Sequence, residues 1–161
     1  MIRTILFLLF VIPAAAQHPC AECHGPVFEV IKANPHPSKT LDCVSCHEDS
    51  ETHISAKGAS PPDKIAAPHE VSALCGKCHS FEEKEYKASK HGKLVLALAE
   101  QKAPQCGSCH GHHGVKPMAE VEKECGSCHA KLPDACKQKP AATAKTACTG
   151  CHAKHTFVAK K

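Results

Sequence analysis

The 161-residue chain has no Trp, one Tyr and five Phe, and two of those Phe, Phe7 and Phe10, fall in its first ten residues. Beyond them the chain has few large side chains from which to build an apolar interior. Small domains so short of core usually depend on covalent staples or metals. Methionine is scarce too: only Met1 and Met118 occur, so a thioether side chain cannot serve repeatedly as a ligand. A long apolar run is missing. The one run, residues 5–12, is less than half the length needed to span a bilayer. With Arg3 before it and Pro13 and Ala14-Ala15-Ala16 after it, residues 1–16 read as a cleaved secretory signal peptide rather than a membrane anchor. Residues 17–161 are then expected to be exported, to the periplasm or beyond, with no integral membrane segment. Nor is there a run of one charge sign. The net charge of +4 comes from 20 basic and 16 acidic residues spread along the chain, which argues against a nucleic-acid-binding stripe.

Against these absences stand thirteen cysteines and fourteen histidines. Twelve of the cysteines fall into six copies of one pattern: CAECH (20–24), CVSCH (43–47), CGKCH (75–79), CGSCH (106–110), CGSCH (125–129) and CTGCH (148–152). A disulfide framework is plausible in an exported protein but leaves the six histidines without a reason. Zinc sites also use Cys pairs, yet zinc does not demand His directly after each pair. Covalent attachment of c-type haem demands all three residues. On a helical turn, positions i, i+3 and i+4 share a face. The thiols of Cys20 and Cys23, Cys43 and Cys46, Cys75 and Cys78, Cys106 and Cys109, Cys125 and Cys128, and Cys148 and Cys151 can thus form thioethers to haem vinyl groups. The imidazoles of His24, His47, His79, His110, His129 and His152 then reach iron as proximal ligands. Six haems would supply the interior that the side chains do not.

These six motifs, distributed over essentially the whole of residues 17–161, resemble those of the multihaem cytochromes c, including the bis-His class III cytochromes c. The resemblance implies a mostly irregular fold with short α-helices and little or no β-sheet, organised around covalently bound haems. It also implies electron transfer rather than catalysis. Every motif ends in His, so the lysine-ligated active haem of pentahaem nitrite reductases has no counterpart here.

Each iron has a second axial position, and eight histidines lie outside the motifs: His18, His36, His53, His69, His91, His112, His113 and His155. At most one haem, through Met118, could be His/Met ligated, so bis-His ligation and low reduction potentials are expected. His113 and His155 each stand three residues beyond a proximal His, too close to swing behind their own iron and better placed to ligate another haem. His53 lies six residues after His47. His91, in YKASKHG, resembles a distal ligand recurring in multihaem cytochromes, and His36 and His69, seven and six residues before a CxxCH, resemble the class III arrangement. The distal set expected is therefore His36, His53, His69, His91, His113 and His155, with His18 and His112 as the spares. Cys136 stands outside every motif, with no His after it.

Prolines keep the helices short. The longest helical candidate covers residues 80–103, with Ser80 as N-cap, a break at Gly92, and Leu94, Leu96 and Leu98 packed on porphyrin. Residues 58–68 read as a loop that could separate a two-haem part (17–57) from a four-haem part (69–161). The expected function is electron transfer through six low-potential haems between exported redox partners. The alternatives are a subunit of an extracellular haem filament or outer-membrane conduit and, less favoured, an oxyanion reductase with one open haem. Two propionates on each haem would add about twelve negative charges, inverting the basic balance and favouring a partner with a basic patch.

Overall fold

In the computed structural model of the chain, the described residues are 19–34, 36, 41–97, 102–131, 134 and 148–160. Residues 1–18, with the expected signal peptide and His18, lie outside them, as does Cys136.

A 3-10 turn at Pro19–Glu22 leads into α1 (Gly25–Lys32), which has Pro26 in its first turn. Two short helices come next, α2 (Val44–His47) and α3 (Glu51–Ser55), then α4 (Val71–Gly76), α5 (Ser80–Ala88) and α6 (Lys90–Ala97). The remaining elements are α7 (Cys106–His110), α8 (Met118–Cys128) and a last helix, here α9, at Cys148–Cys151. No sheet forms among the described residues; a single antiparallel bridge joins His152 and Ala159. The fold is thus short helices and irregular chain, and no described helix is long and apolar enough to cross a membrane.

The helical hairpin at the centre breaks earlier than expected, at Ser89 instead of Gly92. Ser89 turns extended (φ −71°, ψ 165°) and ends α5. Its hydroxyl then accepts from Gly92 N–H at 3.0 Å, so the same residue caps the start of α6. Gly92 has a different task. A Cβ built there would overlap the Tyr86 carbonyl oxygen, so its lack of a side chain lets α6 fold back over the end of α5. Gly92→Ala is expected to destabilise the protein by about 1–3 kcal/mol, read as a lower thermal midpoint. An unchanged midpoint would show that the backbone relaxes freely at this crossing.

The core is sparse. Among the described residues the buried apolar side chains are Val71, Tyr86, Val95 and Ala103. Tyr86 anchors the hairpin to the chain entering α7, donating from its hydroxyl to Pro104 O at 2.9 Å. Burial pushes this phenol up to about 12. On α6 the inward residue is Val95, 1 % exposed, whereas Leu96 is exposed and Leu98 lies outside the described residues. Alternation of leucines suggests the opposite face.

The loop at 58–68 is not a free tether. Ser50 N–H donates to Asp63 Oδ2 at 3.0 Å, and Asp63 N–H donates to Ser50 Oγ at 3.1 Å. Lys64 bonds Glu70 at 2.7 Å at the start of α4. Proline and glycine make this segment a loop, and these bonds fold it back onto the chain between the second and third CxxCH motifs.

Candidate functional site

Every CxxCH motif is one turn of helix. In five of them the His amide donates to the carbonyl of the first Cys: His24 to Cys20, His47 to Cys43, His79 to Cys75, His129 to Cys125 and His152 to Cys148, at 2.9–3.0 Å. In the sixth, α7 spans Cys106–His110 itself. The i, i+3, i+4 geometry that thioether attachment and axial ligation need is therefore present at all six sites.

Local side chains wind two of these turns. Before Cys106, the Gln105 side chain accepts from Gly107 N–H, and Ser108 Oγ accepts from Gln105 N–H. Before Cys43, Asp42 Oδ1 accepts from Ser45 N–H at 3.1 Å, and Ser45 Oγ accepts from Asp42 N–H at 3.2 Å. These are reciprocal caps placed at the residue before the first Cys and the residue before the second. The glycine inside two motifs is also occupied: a Cβ at Gly76 would strike the Glu83 carboxylate, and one at Gly107 would strike the His112 ring.

The histidines come together in pairs drawn from distant parts of the chain. His24 faces His53 (ring centroids 6.0 Å apart, planes at 15°), His79 faces His36 (5.9 Å, 89°) and His47 faces His113 (5.9 Å, 35°). His129 faces His91 (6.0 Å, 38°) and His110 faces His155 (6.1 Å, 35°). Each pair joins one motif histidine to one histidine from outside the motifs. His152 faces no described imidazole, and the pairs leave out His69, which is exposed beside α4. His112 also stays out of them. It packs over Gly107 with its Nε2 3.2 Å from Gln105 Nε2, so it helps hold the α7 cap.

The spacing of the pairs is their informative property. Rings in ordinary contact adapt their separation to their angle; His91 and Phe157, for example, meet edge-on at 4.7 Å. The five histidine pairs keep 5.9–6.1 Å while their planes range from 15° to 89°. Two imidazoles on opposite sides of one metal behave this way. A metal–nitrogen bond is about 2 Å and the ring centre lies somewhat over 1 Å further, giving roughly 6 Å between centres. Rotation about the nitrogen–metal–nitrogen axis changes the angle and leaves that distance alone.

Hydrogen bonding at the far nitrogens fits the same arrangement. His47 Nδ1 lies 2.9 Å from Lys64 O, His53 Nδ1 lies 2.6 Å from Ser60 O and His152 Nδ1 lies 2.9 Å from Phe157 O. Only a protonated Nδ1 can donate to a carbonyl, so Nε2 is left with its lone pair free, as in an oriented metal ligand. His155 Nδ1 stands 3.6 Å from Glu85 Oε2. Burial lowers the proton affinity of His91, His110 and His113, which favours the neutral ring.

His155 reaches its place through an uncommon backbone. Its φ is 62°, in the left-handed region, within a tight turn closed by Ala153 N–H to Val158 O at 2.8 Å and Lys160 N–H to Cys151 O at 2.8 Å. His113 is held from outside: Asn34, buried at the end of α1, donates from Nδ2 to His113 O at 2.9 Å. Neither support has a signature in the sequence, because each depends on residues brought together only by the fold.

No group of three or more His, Cys, Asp or Glu side chains forms a metal-binding cluster among the described residues. The donors come as imidazole pairs, each with a CxxCH turn on one side. Two axial nitrogens and two thiols are what a haem requires of a protein, because its ring supplies the other four ligands. No family model, curated protein or solved structure matches this chain.

Proposed function

We propose that the chain is a hexahaem c-type cytochrome that carries electrons between exported redox partners and catalyses no reaction of its own. The observation that carries this reading is the constant separation of five histidine pairs, each with one member in a CxxCH turn. A haem so held accepts and releases one electron at a potential set by its axial ligands and surroundings.

The chain's own residues have three tasks in this proposal. Cys20/Cys23, Cys43/Cys46, Cys75/Cys78, Cys106/Cys109, Cys125/Cys128 and Cys148/Cys151 anchor the six groups. The pairs His24/His53, His47/His113, His79/His36, His110/His155 and His129/His91 would each hold one of five such groups between two imidazoles, and His152 would hold the sixth. Carbonyls of Lys64, Ser60 and Phe157 keep His47, His53 and His152 in the tautomer that presents Nε2. At the five paired sites, two histidine ligands would favour low potential and leave no position for substrate. The signal-like pattern of residues 1–16 supports export, to the periplasm or beyond, which suits an attachment chemistry completed outside the cytoplasm.

The test is to produce the protein with haem-attachment machinery and analyse its mass and its electron paramagnetic resonance. Six thioether-linked haems and a low-spin ferric spectrum are expected from the five paired sites. Zinc, disulfides or fewer than six haems would overturn the reading, and high-spin iron at a paired site would overturn that ligand pair. The angles add a finer expectation. Perpendicular imidazoles leave two iron d orbitals nearly degenerate, so the His36/His79 site, at 89°, should give the most anisotropic low-spin signal. Histidine-to-alanine replacement at His36 should remove that signal first.

A further inference from the structure

We infer that Glu85 holds the fourth haem at a lower reduction potential than its two imidazoles alone would give, through the carboxylate that faces the ring of His155. This rests on the haem-binding reading above and concerns how one of its sites is tuned.

The Nδ1 contacts of the other rings set the comparison. At His47, His53 and His152 this nitrogen lies 2.6–2.9 Å from a backbone carbonyl, of Lys64, Ser60 and Phe157 respectively. A carbonyl is a neutral acceptor, which fixes the tautomer and orients the ring but adds no charge. His155 Nδ1 faces Glu85 Oε2 instead, at an ion-pair distance of 3.6 Å, and both side chains are 29 % exposed. His79 Nδ1 also has a carboxylate near it, that of Glu82 at 4.0 Å, but those side chains are 56 % and 44 % exposed. Water screens that charge more strongly.

Glu85 and His155 reach each other from elements fixed independently. Glu85 lies on α5, where its neighbour Tyr86 is buried and donates to Pro104 O at 2.9 Å, two residues before Cys106. Helix α4 packs on both α5 and α7. The carboxylate is thereby held beside the fourth motif. His155 comes from the C-terminal turn, with φ at 62°. That turn is closed by Phe157 N–H to Ala153 O at 3.0 Å and Ala153 N–H to Val158 O at 2.8 Å, and Lys160 Nζ anchors it to Thr149 O at 2.7 Å. In this position the His155 ring has His110 6.1 Å from its centre and Glu85 at its Nδ1.

Oxidation of a ligated iron adds one positive charge to its site. A carboxylate at the outer nitrogen of an axial imidazole favours that charge in two ways. Its own field acts across a partly buried gap, and its pull on the Nδ1 proton makes the ring a stronger donor. Both effects stabilise the ferric state and so lower the potential. Electrons filling the array therefore reach the fourth haem later, and leave it sooner, than if His155 faced a carbonyl.

A redox titration of the haem-loaded protein, followed by electron paramagnetic resonance, tests this. His155→Ala first marks the fourth site, as the low-spin ferric signal that gives way to high-spin iron and returns on adding imidazole. Glu85→Gln keeps an acceptor oxygen and removes the charge. It is expected to raise the midpoint of that signal alone, with six haems and low-spin iron retained. Glu85→Asp, which keeps the charge on a shorter arm, should raise it less. An unchanged or lowered midpoint overturns the inference, and so does a shift at another site in place of the fourth. High-spin iron at the fourth site in Glu85→Gln also overturns it, because Glu85 would then serve only to hold the ring. Fewer than six covalent haems by mass would instead sink the parent proposal, and low-spin iron persisting in His155→Ala without imidazole would sink its ligand pair, so the failures are distinguishable.

Discussion

The haem-free chain is expected to have no cooperative structure. Expressed where haem cannot be attached, it should give the far-ultraviolet dichroism of an unfolded chain and no thermal transition, whereas the loaded protein melts cooperatively. The reason lies in the core. Its buried apolar side chains among the described residues are Val71, Tyr86, Val95 and Ala103. Complete burial of a Val-sized or larger side chain contributes about 1.5–3 kcal/mol, while fixing the backbone of each residue costs about 1–2 kcal/mol. Three such side chains and one alanine cannot hold a chain of this length. Secondary structure offers little help, since the longest described helix is 11 residues and most have four to nine, near or below the length at which isolated helices are marginal in water. Unfolded-without-cofactor behaviour is the rule for small domains whose folding free energy is cofactor-binding free energy. A haem-free preparation that keeps a sharp melt would mean that the helices pack by themselves, and the role given to the histidine pairs would have to be abandoned.

Replacing His113 by alanine should have the second-largest effect. The ring faces His47 at 5.9 Å, so under the proposed hexahaem reading its loss would leave the second haem without a distal ligand. High-spin ferric iron should appear at one site in six, and added imidazole should restore the low-spin spectrum by occupying the vacated space. Rescue separates ligand loss from general damage, which imidazole cannot repair. Asn34→Ala serves as the companion. It removes the 2.9 Å bond to His113 O and leaves the ring in place, so it should lower stability by about 1 kcal/mol or somewhat more while the iron stays low-spin. If His113→Ala keeps six low-spin haems without imidazole, the assignment fails. If Asn34→Ala turns the second iron high-spin, that hydrogen bond is what orients the ring.

The attachment turns are legible in the sequence because they are local. CxxCH fits within one turn of helix, and the structure winds that turn at all six positions. The absence of sheet among the described residues also agrees with what the resemblance to multihaem cytochromes c implies, and the short helices agree with the spacing of the prolines. Details of the hairpin are not legible. Gly92 is the expected break, yet Ser89 makes it, because a serine that ends one helix and caps the next has the same composition as one lying inside a helix. The partner of each motif histidine is beyond sequence reasoning for a related cause. Five of the six histidines expected as distal ligands lie opposite motif histidines, but nothing local says that His36 goes to His79 or His91 to His129. His69 has nearly the same motif-relative offset as His36 and is exposed beside α4, with no facing imidazole among the described residues. His112, a spare by its position in the sequence, packs over Gly107, since contact with a buried glycine leaves no periodic trace.

The order in which the paired histidines occur along the chain bears on how the protein is made. If the chain is exported N-terminus first, as proposed, His24 would meet His53 early, whereas His47 would wait for His113 and His110 for His155. The fourth site would then stay half-assembled until His155 had followed, and a chain cut before His155 would lose the ring that faces His110, forty-five residues upstream.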